Sequence, residues 1–284
     1  MSNESRQAGC LFVVATPIGN LGDISARALE VLQEVDLIAA EDTRHTRGLL
    51  RSYAINRPML ALHEHNEDAW VSRLVERLQA GERIALVSDA GTPLISDPGF
   101  ALVRACREAG VELVCVPGPS ALIAALSVAG LPTDRFRFEG FLPRKPPARR
   151  TLLHTLREET ATLVFYESSH RVLEALQDMC ETLGGERHTV LARELTKLHE
   201  TVLAGPLEQV LAQVRADENQ RKGEFVLMLA GAEPSEDDAA SRLDEVLPVL
   251  LEELPLKQAA ELAARLAGVK RNAAYRRALL LRPD

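Results

Sequence analysis

Residues 10–24 read CLFVVATPIGNLGDI, a continuous apolar run followed by a loop that contains one proline and two glycines. An apolar run without polar alternation is typical of a strand that is buried on both faces of a parallel sheet. The proline and glycines prevent an immediate helix and keep the backbone open at the carboxyl end of the strand, where open α/β sheets bind ligands. Asp23 or Ser25 can then cap the helix that follows.

Six further apolar runs alternate with amphipathic helical patterns. They are LIAA (37–40), IALVS (84–88), VELVCV (111–116), TLVFYE (162–167), TVLAR (189–193) and FVLMLA (225–230). Strands separated by helices predict βαβ units and mainly parallel sheets. We therefore predict the α/β class, with an N-terminal α/β domain over 1–117 and a second α/β domain over 118–231.

The end of the chain differs in composition from the rest. Residues 232–255 hold eight acids and one base, and we interpret 232–241 as an acidic linker. Residues 257–282 reverse the sign, with seven bases and one acid. The pattern predicts two helices joined at Gly268, so 242–284 is predicted to be a small, basic, helix-turn-helix-like domain. Such a hairpin either binds nucleic acid or packs against a dimer partner or the body of the protein, and the pattern leaves both readings open.

The composition is that of an ordinary globular protein. Of the 284 residues, 46% are hydrophobic and 26% are charged, and the formal net charge is −8. This charge argues against indiscriminate binding to nucleic acid or to anionic membranes, and aromatic residues are too few for modules that stack rows of bases. The four cysteines show no metal-ligand spacing and are predicted to be small buried hydrophobes in a reducing compartment. Neither a signal peptide nor a membrane span is visible, so we expect a soluble cytoplasmic protein.

Two further loops follow predicted strands. SDAGTPLISDPG (88–99) leaves the Asp89 carboxylate at a strand end, where it could accept hydrogen bonds from a ribose or an amino group. Asp97 precedes a proline, which is a helix start signal, so we expect Asp97 to cap a helix and not to take part in the site. In VPGPSALIAAL (116–126), Ser120 can either cap the next helix or contact a ligand at its N-terminus.

Polar groups also follow two later strands. FYESSHR (165–171) and LARELTK (191–197) each place such groups directly after an apolar run, and we expect these loops to converge with the earlier ones on one cleft. His63 and His65 would point to opposite faces of a strand, so we predict no metal site.

A fifth loop combines acids with a basic helix. In LIAAEDTRHTRGLLRSY (37–53), two acids end the strand and Thr43 is predicted to cap the helix. Arg44, Arg47 and Arg51 share one helix face, which is either a solvated face or a phosphate-binding stripe.

Seven motifs in this order and spacing resemble the bacterial 16S ribosomal RNA 2′-O-ribose methyltransferases. These enzymes belong to the tetrapyrrole-methylase (class III) superfamily, which uses S-adenosylmethionine (SAM). The motifs are ATPIGNLGDI, AAEDTRHT, SDAGTPLISDPG, PGPSA, GLPTDRF, FYESSHR and ARELTK. The resemblance covers nearly the whole chain. It implies two α/β domains of the tetrapyrrole-methylase type with the cofactor in the cleft between them, a small C-terminal helical domain, and a homodimer.

Carried over position by position, the resemblance implies a set of cofactor contacts. They are Asp89, Ala90, Gly91, Ser120, Tyr166, Ala192, Glu224 and Phe225. The first loop reads PIGNLGD where porphyrin-modifying members have a shorter Gly-Pro-Gly-Asp, although Asp23 still falls at the terminal aspartate. This departure favours RNA over a tetrapyrrole as the substrate.

The reaction implied is methyl transfer from SAM to the ribose 2′-hydroxyl of a cytidine in the decoding region of 16S ribosomal RNA, on the assembled small subunit. A hydroxyl is a weak nucleophile, so a base is expected beside it. Our hypothesis makes Glu167 or the Glu41/Asp42 pair that base and lets Asp23 orient the ribose. The residues predicted to contact RNA are Arg44, Arg47, Arg51, Arg144, Lys145, Lys270 and Arg271.

Two alternatives stay open at this point, and a third is disfavoured. The same fold could methylate a tetrapyrrole or another small substrate, or the chain could be a non-enzymatic ribosome assembly factor. A dehydrogenase is disfavoured, because no Gly-x-Gly-x-x-Gly fingerprint follows the first strand.

The net charge is unevenly distributed along the chain. Residues 43–57 carry four arginines and no acid, residues 135–150 carry six bases and one acid, and residues 257–282 carry seven bases and one acid. The remaining chain is strongly acidic. The sequence therefore disfavours indiscriminate RNA binding and allows localised binding to one structured target.

Overall fold

The structure is a computed structural model that describes residues 9–63, 66–233 and 236–281, with the side chains of 236–238 left out. The chain divides into two compact units. The first comprises Met1–Arg157 and Ala161–Ala230, and the second comprises Glu158–Thr160 and Gly231–Asp284. Both sheets lie in the first unit, and the domain boundaries predicted from the sequence remain a prediction.

The first sheet is wholly parallel, as predicted. Its strands are β1 (Cys10–Val14), β2 (Leu37–Ala40), β3 (Met59–Ala61), β4 (Arg83–Val87) and β5 (Glu112–Val116), in the order β3-β2-β4-β1-β5. The accompanying helices are α1 (Ala26–Glu34), α2 (Thr43–Ser52), α3 (Glu67–Gln79) and α4 (Phe100–Glu108). All strands point the same way, so the loops after β1, β2, β4 and β5 meet at one edge.

The second sheet is mixed, which corrects the prediction of mainly parallel sheets. It contains β6 (Phe136–Phe141), β7 (Thr162–Ser168), β8 (His188–Arg193), β9 (Thr201–Pro206) and β10 (Glu224–Leu229), in the order β6-β7-β10-β8-β9. Only β6 and β7 are parallel, and the other three pairs are antiparallel. The helices are α5 (Ala121–Ala129), α6 (Pro146–Thr155), α7 (Val172–Leu183) and α8 (Leu207–Ala216). Apolar runs show burial on both faces but do not show strand direction, which explains the error.

Each sheet separates two apolar clusters, because side chains alternate between its faces. On β4, Ile84 and Leu86 join one cluster while Ala85 and Val87 join the other, and all four are nearly fully buried. Burying a side chain such as leucine stabilises a fold by roughly 1.5–3 kcal/mol, so these two-sided strands hold the edge loops on a firm base.

Local capping differs in detail from the sequence prediction. Ser25 caps α1 by accepting from the Ala28 amide, so Asp23 is not needed there. Asp42, and not Thr43, caps α2, since its carboxylate accepts from the Arg44 amide at 2.8 Å. An aspartate directly before the first helical residue is the stronger cap.

The four cysteines do not share one environment. Cys10 and Cys106 are buried as predicted, whereas Cys115 is exposed and Cys180 is half-buried. The prediction was therefore wrong for Cys115, which lies on β5, an edge strand of the first sheet.

The C-terminal unit is a three-helix arrangement around an alanine-rich core. Its helices are α9 (Glu236–Glu253), α10 (Leu256–Ala267) and α11 (Arg271–Leu281), and Gly268 ends α10 with a φ of +71°. The helix, turn and helix over 256–281 were predicted. The segment interpreted as a linker is helical from Glu236 onwards, because Ala239 and Ala240 are strong helix formers. Within the described residues, no helix is long and apolar enough to cross a membrane.

Candidate functional site

A cavity of about 430 Å³ lies in the first unit, where the loops of the two sheets meet. From the first sheet it is lined by the end of β2 and by the loops after β1, β4 and β5; from the second sheet it is lined by the ends of β6, β7, β8 and β10. The predicted convergence of the loops on one cleft is therefore what the geometry shows. Every position that the resemblance implied for the cofactor lines this cavity: Asp89, Ala90, Gly91, Ser120, Tyr166, Ala192, Glu224 and Phe225.

Two backbone hydrogen bonds join the first loop to the second. The Thr16 amide donates to the Gly91 carbonyl at 2.8 Å, and the Gly91 amide donates to the Thr16 carbonyl at 3.1 Å. Gly91 has a φ of +84°, and a Cβ there would lie 3.3 Å from Ile18. Glycine is required on both counts, since the backbone is left-handed and the space is tight. Because Gly91 has no side chain, the Ala90–Gly91 backbone is directly accessible from the cavity.

Three carboxylates lie in the part of the cavity that the first sheet provides. The Asp89 carboxylate accepts from the Asp42 amide at 3.0 Å, and the Glu41 carboxylate accepts from the Asp89 amide at 3.2 Å. This reciprocal pair fixes the loop after β4 against the end of β2. Burial raises the pKa of Glu41 above its usual range.

Asp97 is the third of these carboxylates, and its place corrects the sequence prediction. The helix α4 begins at Phe100, and it is capped by Glu67, which is far away in the sequence. The Glu67 carboxylate accepts from the Gly99 amide at 3.2 Å and from the Leu102 amide at 3.0 Å. Asp97 instead lines the cavity, where burial, followed by the charge of Glu41, raises its pKa to about 6. The Asp-Pro signal was misleading because the cap comes from a residue far away in the sequence.

Glu167 lines the cavity, but its carboxylate is already engaged. One oxygen accepts from the Ser168 amide at 2.8 Å and the other from the Arg171 guanidinium at 3.1 Å, and the side chain has no exposed surface. Burial raises its pKa, while the Ser168 amide and Arg171 oppose that rise. Glu167 therefore helps to build the wall of the cavity.

The other two predicted catalytic acids lie outside the cavity lining. Asp42 accepts from the Arg44 guanidinium at 2.8 Å, and this partner holds the pKa of Asp42 well below its usual range. Asp23 is exposed in a short 3-10 helix over Leu21–Asp23. Both acids follow strand ends in the sequence. In the structure, however, Asp42 is paired with Arg44 and Asp23 is exposed to solvent.

An aromatic and apolar wall comes from the second sheet. Tyr166 contacts Phe138 and Phe141 edge-on, with ring centroids 4.8 Å and 5.7 Å apart. The Tyr166 hydroxyl accepts from the Leu122 amide at 3.1 Å, so it partly caps α5. Ser120 makes no capping bond of its own and lines the cavity, so the predicted capping role is not taken up, while its contact with a ligand stays a prediction.

Ion pairs hold the β10 end of the cavity in place. The Lys197 ammonium lies 3.0 Å from the Glu194 carboxylate and 2.9 Å from the Glu224 carboxylate. The Glu224 amide also donates to Glu194 at 2.9 Å. The backbone of β10 is thereby tied to the loop that follows β8.

Backbone strain is concentrated around cavities. In the described part of the chain, five residues other than glycine have a positive φ. Leu94 and Ser96 lie in the loop after β4, and Glu194 and Thr196 lie in the loop after β8. Such conformations cost of order 1–3 kcal/mol each and persist where the surrounding structure holds a functional geometry.

The predicted RNA-contacting residues are spread over the surface. Arg44 is paired with Asp42, whereas Arg47 and Arg51 line a second cavity at the far end of α2. Arg144 and Lys145 are exposed just before α6. In the C-terminal unit, Lys270 and Arg271 are exposed at the start of α11, and Arg271 lies 3.4 Å from Glu261.

One base in the segment 135–150 is not available to any ligand. Arg149 is only 2% exposed and its guanidinium lies 2.5 Å from the Asp178 carboxylate. Asp178 also pairs with Arg150 at 2.6 Å. The pair joins α6 to α7, so this segment presents less positive charge to solvent than its sequence indicates.

No group of three or more histidine, cysteine, aspartate or glutamate side chains in the described ranges could hold a metal ion. His65 lies outside the described residues, so its predicted orientation relative to His63 is not addressed by the structure.

Comparison with known proteins gives matches over almost the whole chain. The model for tetrapyrrole (corrin/porphyrin) methylases matches residues 10–211, and the model for the RsmI C-terminal HTH domain matches residues 236–282. A ribosomal RNA small subunit methyltransferase I from Xylella fastidiosa strain Temecula1 is 58% identical over 269 residues, which are 94% of this chain and 98% of that protein. The protein of the same name from Escherichia coli O157:H7 is 56% identical over 271 residues, 95% of both chains.

Among solved structures, the fold is similar to uroporphyrin-III C-methyltransferase from Thermus thermophilus in complex with S-adenosylhomocysteine. The TM-score is 0.53 at 18% identity, covering 78% of this chain and 97% of that chain.

Proposed function

Because this chain belongs to the tetrapyrrole methylase family, as a SAM-dependent methyltransferase of small-subunit ribosomal RNA, we propose that it methylates the ribose 2′-hydroxyl of a cytidine in the decoding region of 16S ribosomal RNA. The substrate we propose is the assembled small subunit. The family and the cofactor set the reaction class, and the site of methylation is our proposal.

The observation that carries this proposal is the composition of the 430 Å³ cavity. All eight positions proposed for SAM line it, and carboxylates stand in its first-sheet part. Residues of this kind fit the cofactor: Ile18, Ala192 and Val226 offer an apolar surface for a base, and Asp89 offers carboxylate oxygens for hydroxyl or amino donors. The bare Ala90–Gly91 backbone allows close approach of a ligand.

When bound, SAM supplies a methyl group already activated by the sulfonium charge. The chain's own residues then have two tasks, to position the ribose and to accept the hydroxyl proton as the oxygen forms its bond to carbon. An acceptor works best when its pKa lies near the working pH.

We propose that the base is a carboxylate of the Glu41–Asp97 pair. Asp97, with a pKa of about 6, is the better matched of the two, and Glu41 is the member of the Glu41/Asp42 pair that lines the cavity. Glu167 is engaged by Arg171, and Asp42 is engaged by Arg44, which argues against both.

Single-turnover methyl transfer with SAM and small subunits saturating tests this assignment. Loss of a general base typically costs about 10²–10⁴ in rate, so Asp97→Asn or Glu41→Gln should lose about 100-fold or more. Glu167→Gln and Asp42→Asn should stay within about tenfold. Wild-type rates in both Asp97→Asn and Glu41→Gln, with SAM affinity confirmed by calorimetry, would overturn the assignment.

The methylated position is tested in cells. Mass spectrometry of 16S ribosomal RNA from a deletion strain should show one cytidine in the decoding region without its ribose methyl group, and a plasmid copy should restore it. Loss of a base methyl group, or of none, would contradict the proposal.

Salt dependence separates RNA from a tetrapyrrole or another small substrate. The apparent affinity for RNA should fall steeply as salt rises, whereas a small substrate held in the cavity should be nearly indifferent. A pure assembly factor would bind the subunit without turning over SAM.

We also propose that the protein is a homodimer. Large apolar side chains on α5 support this, since Ile123 is 55% and Val128 is 52% exposed. Sedimentation of the wild type should give twice the chain mass, and Val128→Glu should lower it. A monomer at micromolar concentration would refute the dimer.

A further inference from the structure

A second cavity, of about 340 Å³, lies at the end of α2 and along the loop that leads to β3. Its polar lining consists of Arg47, Arg51, Asn56 and Arg57, and we call it the arginine cavity. Leu50, a buried residue of the first sheet's core, lies under it. The cavity therefore combines a basic polar lining with apolar residues such as Leu50.

The charges of this cavity are not balanced by the chain itself. None of its lining residues is acidic. In the part of the chain that the structure describes, Arg47 and Arg51 have no carboxylate partner, in contrast to Arg44 on the same helix, which is paired with Asp42. Like charges around one concave surface repel each other, and a shared anion removes that cost.

The end of α2 opposes an anion less than an open helix end would. A helix C-terminus normally presents free carbonyl oxygens that repel anions. At the end of α2, however, the Leu50 carbonyl accepts from the Tyr53 and Ile55 amides at 3.1 and 3.0 Å, and the Arg51 carbonyl accepts from the Ala54 amide at 3.1 Å.

Part of the lining of the arginine cavity is held in position by other contacts. The Arg57 guanidinium donates to the Gln33 carbonyl on α1, which leaves its other N–H groups for a ligand. Ala54 in the same loop has a φ of +54°, the fifth strained residue of the described chain. The loop thus resembles the loops of the large cavity in being fixed at an energetic cost.

The arginine cavity lies away from the reacting atoms. The helix α2 begins just after Glu41, and at a rise of about 1.5 Å per residue Arg51 lies about 12 Å further along it. The helix runs back across the sheet, because β2 and β3 are parallel. A group bound there would hold the substrate without touching the methyl group that is transferred.

We propose that the arginine cavity binds a phosphate of the RNA backbone, remote from the nucleotide that is methylated. Guanidinium groups recognise phosphate oxygens through paired, charge-assisted hydrogen bonds. Three guanidinium groups around one cavity can together bind both non-bridging oxygens of a phosphodiester. The proposal rests on the proposed function only in taking RNA as the substrate, and it does not depend on which nucleotide is modified.

The test uses the full-length Arg47→Gln/Arg51→Gln variant, with Arg107→Gln as the matched control. Arg107 is an exposed arginine at the end of α4. Binding to small subunits is measured by filter retention over a series of salt concentrations, next to KM, kcat and SAM affinity. The double variant should bind about tenfold more weakly, and its salt slope should fall by about one for each arginine removed. The kcat and the SAM affinity should stay unchanged, and the control should resemble the wild type.

Three results would overturn the proposal. An unchanged salt slope would show that the cavity does not meet RNA, and a loss of kcat at constant KM would place these arginines in the methyl-transfer step. Tight binding of inorganic phosphate by the wild type, lost in the double variant while subunit binding is kept, would identify a site for a free phosphate. Because filter binding does not require methylation, a wrong target nucleotide would leave this test intact, which separates its failure from that of the proposed function.

Discussion

Replacing Asp97 by asparagine should make the protein more stable and less active. The wild-type carboxyl lies among Glu41 and Asp89 in the large cavity, and burial, followed by the charge of Glu41, raises its pKa from 3.8 to about 6. A carboxyl with a raised native pKa binds its proton more readily in the folded than in the unfolded chain. Its contribution to stability is therefore lost as the pH rises from about 4 through about 6.

The size of the effect follows from that shift. About two pKa units at 1.36 kcal/mol each set an upper limit of about 3 kcal/mol at pH 8. Since Asp97 is partly open to solvent, screening reduces this, and we expect a gain of about 1–2 kcal/mol in the free energy of unfolding. Asparagine has no charge to lose, so the difference between variant and wild type should shrink toward zero near pH 4.

Urea unfolding between pH 4.5 and pH 8 measures this difference, with Asp134→Asn, a change at an exposed carboxyl, as the control. Methyl transfer at pH 8 should fall in Asp97→Asn while its stability rises, which is the trade-off expected of a strained functional group. A variant that is no more stable than the wild type at pH 8, or whose gain is the same at pH 4.5, would refute the reasoning.

Three other changes have defined outcomes. Gly91→Ala should destabilise the fold by about 1 kcal/mol through its φ of +84° and weaken SAM binding in calorimetry, and unchanged SAM affinity would contradict the close approach we infer. Asp178→Ala should cost about 3–5 kcal/mol in urea unfolding, because it leaves the buried Arg149 guanidinium with only the exposed Glu174 carboxylate, 3.6 Å away, and a loss below about 1 kcal/mol would show that the ion pair matters little. Lys270→Ala/Arg271→Ala should weaken subunit binding several-fold with SAM affinity intact, relative to Lys257→Ala, and equal binding would assign the C-terminal unit to packing.

The sequence allowed the α/β class, the parallel first sheet and the C-terminal helical pair to be predicted, and the family match confirms the fold. Three strands were missed for physical reasons. β3 has only three residues, β6 carries a glycine and charged side chains, and the edge strand β9 ends in glycine and proline. Short, edge and glycine-containing strands lack the continuous apolar pattern on which the prediction depended.

The site was predictable where motifs coincide with strand ends, as at Asp89 and Tyr166. It was not predictable where the role expected of one side chain is taken by a residue far away in the sequence. Asp97 was assigned to a helix cap that Glu67, thirty residues earlier, provides. Likewise, Asp42 was placed in the site although its neighbour Arg44 neutralises it. Local patterns show which groups could serve a role, and only tertiary contacts decide which group does.

The hydrogen-bonded pairing of Thr16 with Gly91 bears on how this fold could be re-engineered for another substrate. The Thr16 hydroxyl also reaches the Ser88 carbonyl at 3.2 Å, and a Cβ on Gly118 would lie 3.0 Å from that of Ala15. A chimera that takes only residues 15–24 from a porphyrin-modifying relative would lose buried backbone hydrogen bonds, because the partner loop around Gly91 would still come from this chain. The transferable module is therefore discontinuous, and it must include the segments around residues 16, 91 and 118 together.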